Sequence, residues 1–330
     1  MIRVARYAAI PFAAPVCLLA SAPVLASDEN ADEADRSEGA EIAAAAQPPQ
    51  QPGVRPPAAQ TRGPAGAQEG FGPPDIVFDD TWVSVGIGAG LVPSYSGSND
   101  YRVFPLPLIV GRVGGVGISP NGPGFNLDLL SQPPARGAPE TSFSFGPSVR
   151  FRNDRDGQIG DAIVAAAGEL DTALEVGVNG GVTFPGVLDR FDRLSLSSSV
   201  RWDVLGAHDG MLIEPGIGYF TPVNNDIAIQ LSLSAQFVDD DFADYYYSVS
   251  PAQSAASGLP LFQADGGLNS LGVTTITTID LSGNLLDGGW NLYAIAGYSR
   301  LVGDAADTPY TDLRGSADQF IGGIGVGYTF

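Results

Sequence analysis

A chain of 330 residues with a formal net charge of −21 lacks the basic footprint that a phosphate backbone requires, which argues against nucleic acid as a partner. Only 16% of the residues are charged and 43 are glycine, and beyond the N-terminus no apolar run reaches the ~18 residues of a spanning helix. The single cysteine, Cys17, lies in the first segment, so the chain after it has no disulfide, thiolate metal site or cysteine nucleophile.

The N-terminus has the order of a secretory signal. Arg3 and Arg6 precede an apolar core from Tyr7 to Ala20, and Val24-Leu25-Ala26 supplies small-residue cleavage chemistry before Ser27. Residues 1–26 are therefore expected to be removed. Val16 precedes Cys17 where a lipoprotein signal wants a small residue, so acylation is not expected there. Residues 27–75 open on Asp28, Glu29, Asp32, Glu33 and Asp35 and continue into Ala, Pro, Gln and Gly. Such a composition cannot repay the entropy of ordering, which predicts a disordered periplasmic arm, a spacer or a tether for a periplasmic partner.

From Trp82 the pattern becomes two-residue alternation. Val83, Val85, Ile87, Ala89 and Leu91 share one parity; Ser84, Gly86, Gly88 and Gly90 share the other. The same dyad recurs in Phe143–Arg152, Leu174–Phe184, Leu194–Trp202 and Ile227–Phe237. Strands are expected near 81–92, 103–111, 114–119, 123–130, 141–152, 172–184, 192–203, 211–221, 227–238, 268–281, 290–300 and 320–330. These runs are long for a secreted β-sandwich and suit strands crossing lipid at a tilt. In the last strand Phe320, Ile324, Val326, Tyr328 and Phe330 face one way, and Tyr328 and Phe330 end the chain as an interfacial ring pair that closes the cylinder. The fold class is all-β: over residues 76–330, an antiparallel transmembrane barrel of about twelve strands. Ten is the alternative, because Gly and Pro break residues 114–130. With both termini periplasmic, the long connections 153–171, 239–267 and 301–319 fall outside and the short 221–226 and 282–289 inside.

No residue set reads as an active site, and none calls for a cofactor or metal. His208 is the only histidine, and Gly206-Ala-His-Asp-Gly210 reads as a turn. Asp239, Asp240, Asp241 and Asp244 read as a solvated acidic loop rather than a calcium site. Tyr245, Tyr246 and Tyr247 read as an interfacial belt or adhesive surface. Arg150, Arg152, Glu175, Arg201 and Glu214 all have inward parity on four successive strands, with signs alternating around the wall. They predict an interior charge ladder that fixes register and fills a narrow lumen. At the closing seam Gly86, Gly88 and Gly90 meet Gly323, Gly325 and Gly327, all inward. Unless large side chains from opposite strands fill it, such a seam leaves a groove for the arm or a ligand.

Gly88-Ala-Gly-Leu-Val-Pro-Ser-Tyr-Ser-Gly-Ser-Asn-Asp-Tyr-Arg-Val-Phe-Pro-Leu-Pro107 resembles the opening hairpin of the MltA-interacting protein (MipA/OmpV) family. Tyr298–Pro309, Gly315–Gln319 and the ending at Phe330 agree, so the resemblance covers Trp82–Phe330 and leaves out the acidic arm. It implies a cell outer-membrane barrel of which the name-giving member scaffolds a murein lytic transglycosylase with a penicillin-binding protein; other members are described as antigens or adhesins. The expected function is a non-enzymatic envelope scaffold in the outer-membrane bilayer. A narrow channel or small-solute transporter, or a surface adhesin acting through 239–267 and 301–319, is the alternative.

Overall fold

The computed structural model describes residues 77–79, 81–132 and 140–330. The signal, Cys17 and the acidic arm read from the sequence lie outside the described residues. Twelve antiparallel strands close into one barrel, each bonded to its neighbours in sequence and the last to the first. They are β1 (Trp82–Pro93), β2 (Tyr101–Val113), β3 (Val116–Pro120), β4 (Gly124–Asp128), β5 (Ser142–Arg152) and β6 (Ala173–Pro185), followed by β7 (Arg193–Asp203), β8 (Met211–Pro222), β9 (Ile227–Val238), β10 (Gly267–Asp280), β11 (Gly289–Leu301) and β12 (Asp318–Thr329). The broken stretch 114–130 is a hairpin of two five-residue strands. Its entry turn, Gly114-Gly115, has φ of 59° and 86°, the left-handed pair that a tight hairpin turn needs.

The alternation sets the two faces. Ile87, Val103, Phe143 and Ile324 point outward and remain 67%, 70%, 65% and 72% exposed, an apolar exterior that water would not tolerate and hydrocarbon accepts. Closure matters in that setting, because an unpaired backbone amide in lipid costs several kcal/mol. The β1–β12 ladder supplies it, pairing Gly86 with Gly327, Gly88 with Gly325 and Gly90 with Gly323, and the Phe330 amide donates to the Val83 carbonyl at 2.9 Å. Trp290, Tyr328 and Phe330 stack in sequence at this end, with ring centroids 5.1 and 4.7 Å apart.

Connections at the opposite end carry the helices: α1 (Ala162–Ala166), α2 (Asp240–Tyr247), α3 (Pro251–Ser257), α4 (Asp304–Asp307) and α5 (Pro309–Asp312). The starts of α1, α2 and α3 are readable. Asp161 caps α1 by accepting from the Ile163 and Val164 amides, and Asp239 caps α2 by accepting from Phe242. Ser250 and Gln253 form a capping box on α3 with Pro251 in the first turn, and Gly258 ends that helix at φ 77°.

Candidate functional site: the barrel lumen and its cap

On the β5–β8 side the interior is one ion-pair network. Glu175 of β6 is fully buried and accepts from Arg150 Nε at 3.1 Å, Arg152 Nε at 2.5 Å and Arg201 Nε at 3.2 Å. Arg150 also reaches Glu214 of β8 at 3.0 Å, passing over β6 and β7, and Arg201 pairs with the same carboxylate. The five side chains that share inward parity in the sequence are therefore in mutual contact. Within this network every charge has a partner of opposite sign, the condition for keeping ions out of water.

Above this network α2 lies across the mouth. A helix starting at Asp240 brings residues 242, 243, 246 and 247 onto one face. Phe242, Ala243, Tyr246 and Tyr247 all turn inward onto Leu212, Val238 and Leu301 at the strand ends. The tyrosine run expected as a belt or adhesive surface is instead a plug: Tyr246 and Tyr247 are 4% and 3% exposed. Arg155 donates to the Tyr246 carbonyl at 2.8 Å and Thr308 to that of Tyr247 at 2.6 Å, which ties the helix to two other outer loops. Arg152 closes the stack from below, its guanidinium carbon 4.9 Å from the Phe242 ring centre. The period-two pattern that serves for strands hides this, because the run is helical.

The acidic cluster is structural as well. Asp239 accepts from the Met211 amide at 2.7 Å besides capping α2, Asp240 from Gly266 at 2.7 Å and Asp244 from Gln263 at 2.8 Å. Among the described residues no group of three or more His, Cys, Asp and Glu side chains is placed to hold a metal ion. The His208 turn forms, with Asp209 at φ 52°, but the imidazole is buried edge-on against Phe242 at 4.9 Å. Its Nδ1 accepts from the Gly210 amide at 3.1 Å, and Nε2 lies 3.9 Å from Glu175. Burial, reinforced by the nearby Arg152 charge, holds the imidazole below its ordinary range, so it is neutral.

The middle of the β11–β2 side is packed by uncharged side chains. A Cβ on Gly325 would lie 2.2 Å from Tyr293 Cζ, and one on Gly323 2.4 Å from Leu106 Cδ1. The seam groove considered for the arm or a ligand is thus filled by two side chains of the wall itself, Tyr293 of β11 and Leu106 of β2. The Tyr293 hydroxyl donates to the Leu106 carbonyl at 2.8 Å and spans the seam. The sequence does carry a signal for Tyr293, an aromatic on the parity that otherwise holds Asn291 and Ser299.

An apolar outer wall, a closed strand order and an ion-paired interior define an integral outer-membrane β-barrel of twelve strands. The family model described as MltA-interacting protein MipA matches residues 85–330, and the chain belongs to that family. No curated protein matches the chain. Among solved structures, an outer membrane channel from Pseudomonas putida F1 aligns at 12% identity and a TM-score of 0.40, covering 76% of this chain and 96% of that one.

Proposed function

We propose that the protein is a non-enzymatic scaffold of the outer membrane, exported by a signal cleaved after residue 26, whose short turns meet murein machinery in the periplasm. The partner that the family name suggests is MltA, a murein lytic transglycosylase; a penicillin-binding protein, implied by the sequence resemblance, is the second client in this reading. The observation that carries the reading is the turn 186–192 between β6 and β7. The buried Asp192 carboxylate accepts from the amides of Val187, Leu188 and Asp189 at 2.7, 2.8 and 2.8 Å and from the Tyr219 hydroxyl at 2.7 Å. That set of bonds fixes a turn whose tip presents Leu188 at 81% and Phe191 at 62% exposure. A rigid apolar tip binds without an ordering cost, the property a docking element needs. Residues 27–75 serve in this reading as a tether toward the same partners.

The lumen supports the same reading over a wide channel. Five paired charges reach across from β5 to β8, and α2 lies over the mouth. A photo-crosslinking amino acid at position 188 in intact cells is expected to capture a murein transglycosylase, with capture reduced by Phe191→Asp or by deleting 27–75. Failure to capture any murein enzyme from position 188, together with large steady conductance in planar bilayers, would reverse the assignment in favour of a channel.

A further inference from the structure

The wall is not equally closed all the way round. β2 pairs with β1 along its length, from Tyr101 opposite Pro93 to Arg112 opposite Trp82, but with β3 only through Gly111–Val113. Extending that register sets Ile109 level with Pro120, where β3 stops, and β4 joins β5 only at Ser148–Arg150. Among the described residues, the edge Tyr101–Leu108 therefore has no strand beside it.

The sequence of β2 fits an open edge. Pro105 and Pro107 stand opposite Ala89 and Ile87 of β1, and proline has no N–H to give. Those pairs are then the non-hydrogen-bonded ones, and the odd-numbered amide positions point away from β1 toward the gap. Of the four odd positions from 101 to 107, two thus lack the donor that would be stranded in hydrocarbon. Arg102 closes the outer end, donating to Asp156 at 2.9 Å and to the Asn153 carbonyl at 3.3 Å. Between this staple and the β3–β4 hairpin a slot remains in the wall.

A cavity of about 340 Å³ lies inside the tip of the β3–β4 hairpin, where Gly122 and Pro123 border it. Gly122, Pro123 and Phe151 line it on the slot side, and Arg152, Asn269 and Gln319 line its interior. Arg152 Nη2, Asn269 Oδ1 and Gln319 Oε1 have no hydrogen-bond partner in the protein, and Asn269 and Gln319 are 5% and 6% exposed. Three arginines against two glutamates leave this network one positive charge in surplus, and the buried Asp154 carboxylate, held by the Ser96 amide at 3.2 Å, also lines the cavity. At the lip of the slot, β2 turns Phe104 and Leu108 inward, two apolar side chains beside the gap.

We propose that cavity and slot together bind one anionic single-chain amphiphile with a hydroxyl-bearing head, of the lysophosphatidic acid type. The acidic head meets Arg152, its hydroxyl donates to the amide oxygens, and the acyl chain leaves sideways between β2 and the β3–β4 hairpin into the bilayer. Native mass spectrometry of the full chain in detergent tests this, with 1-oleoyl lysophosphatidic acid, its zwitterionic choline ester and chain-free glycerol 3-phosphate as probes. One lysophosphatidic acid per barrel is expected, with at least ten-fold weaker retention of the choline ester and of glycerol 3-phosphate. Arg152→Gln and Leu108→Trp are each expected to weaken retention about ten-fold while the heat-modifiable gel mobility of a closed barrel persists. If Arg152→Gln does not fold, Leu108→Trp and the three-probe comparison decide. Equal retention of the acid and its choline ester means annular lipid and overturns the proposal. Glycerol 3-phosphate binding as tightly as the lipid, unaffected by Leu108→Trp, overturns the slot and leaves only a site for a small polar solute.

Discussion

The two halves of the lumen fill the same kind of space with opposite chemistry. Between β5 and β8, five charged side chains from four strands interlock around Glu175. Between β11 and β2, one phenol ring and one leucine lie over five of the six seam glycines, and Asn291 faces the sixth. Charges in an enclosed lumen lose hydration and recover it only through good mutual geometry, so this half depends on every partner being present. The glycine half gains from burying a large ring against bare backbone, and it tolerates no added carbon. The first half should therefore fail when a charge is removed, the second when an atom is added.

The largest effect is expected from Glu175→Gln, which leaves three guanidinium groups with Glu214 as their one carboxylate in the network. Loss of one member of a buried ionic set costs about 3–5 kcal/mol, read as a lowered urea midpoint in micelles followed by tryptophan fluorescence. On the other side, Gly325→Val drives a side chain into Tyr293, and overpacking of this kind costs about 1–3 kcal/mol. The double variant Gly325→Val/Tyr293→Ala should be less destabilised than the sum of the two single changes, because the added carbons occupy the space the ring vacates. Strict additivity there would show that the ring and the glycines do not share the groove. Tyr293→Phe keeps the packing and removes only the hydroxyl bond across the seam, a loss of about 0.5–1.5 kcal/mol.

The smallest effect separates the cap from both halves. Burial lowers the His208 imidazole, so between its native value and the unfolded value of about 6.5 the unfolded chain binds more protons. Its contribution is complete above that pH and is lost as the pH falls through the window. Hydrogen exchange of amides 242–247 should accelerate on acidification in this range, and His208→Asn should flatten the response. An unchanged profile in His208→Asn would assign the pH dependence to another group.

Much of the barrel was legible before any coordinates. The strand edges expected near 141–152, 172–184 and 192–203 appear as Ser142–Arg152, Ala173–Pro185 and Arg193–Asp203, because a two-residue period is a local property of each run. Inward parity likewise placed Arg150, Glu175, Arg201 and Glu214 on one surface. Parity does not say which residue of another strand fills the space it faces. Tyr293 reaches Leu106 across 187 positions of sequence, and Arg150 skips two strands to reach Glu214. The run Tyr245-Tyr-Tyr247 misled for a different reason: two of three exposed-looking aromatics joined a buried helix face once Asp239 supplied a cap.

The amino-acid order alone determined that an all-β cylinder with a lipid-facing exterior would form, since backbone amides in hydrocarbon must be bonded and alternate residues must face opposite solvents. Tertiary structure alone decided what occupies the inside: Tyr293 and Leu106 over the seam glycines, α2 over the mouth, and a slot left where two strands are only five residues long. The physical reason is range. Alternation is written between neighbours, whereas packing is settled between residues that only the closed barrel brings within contact distance.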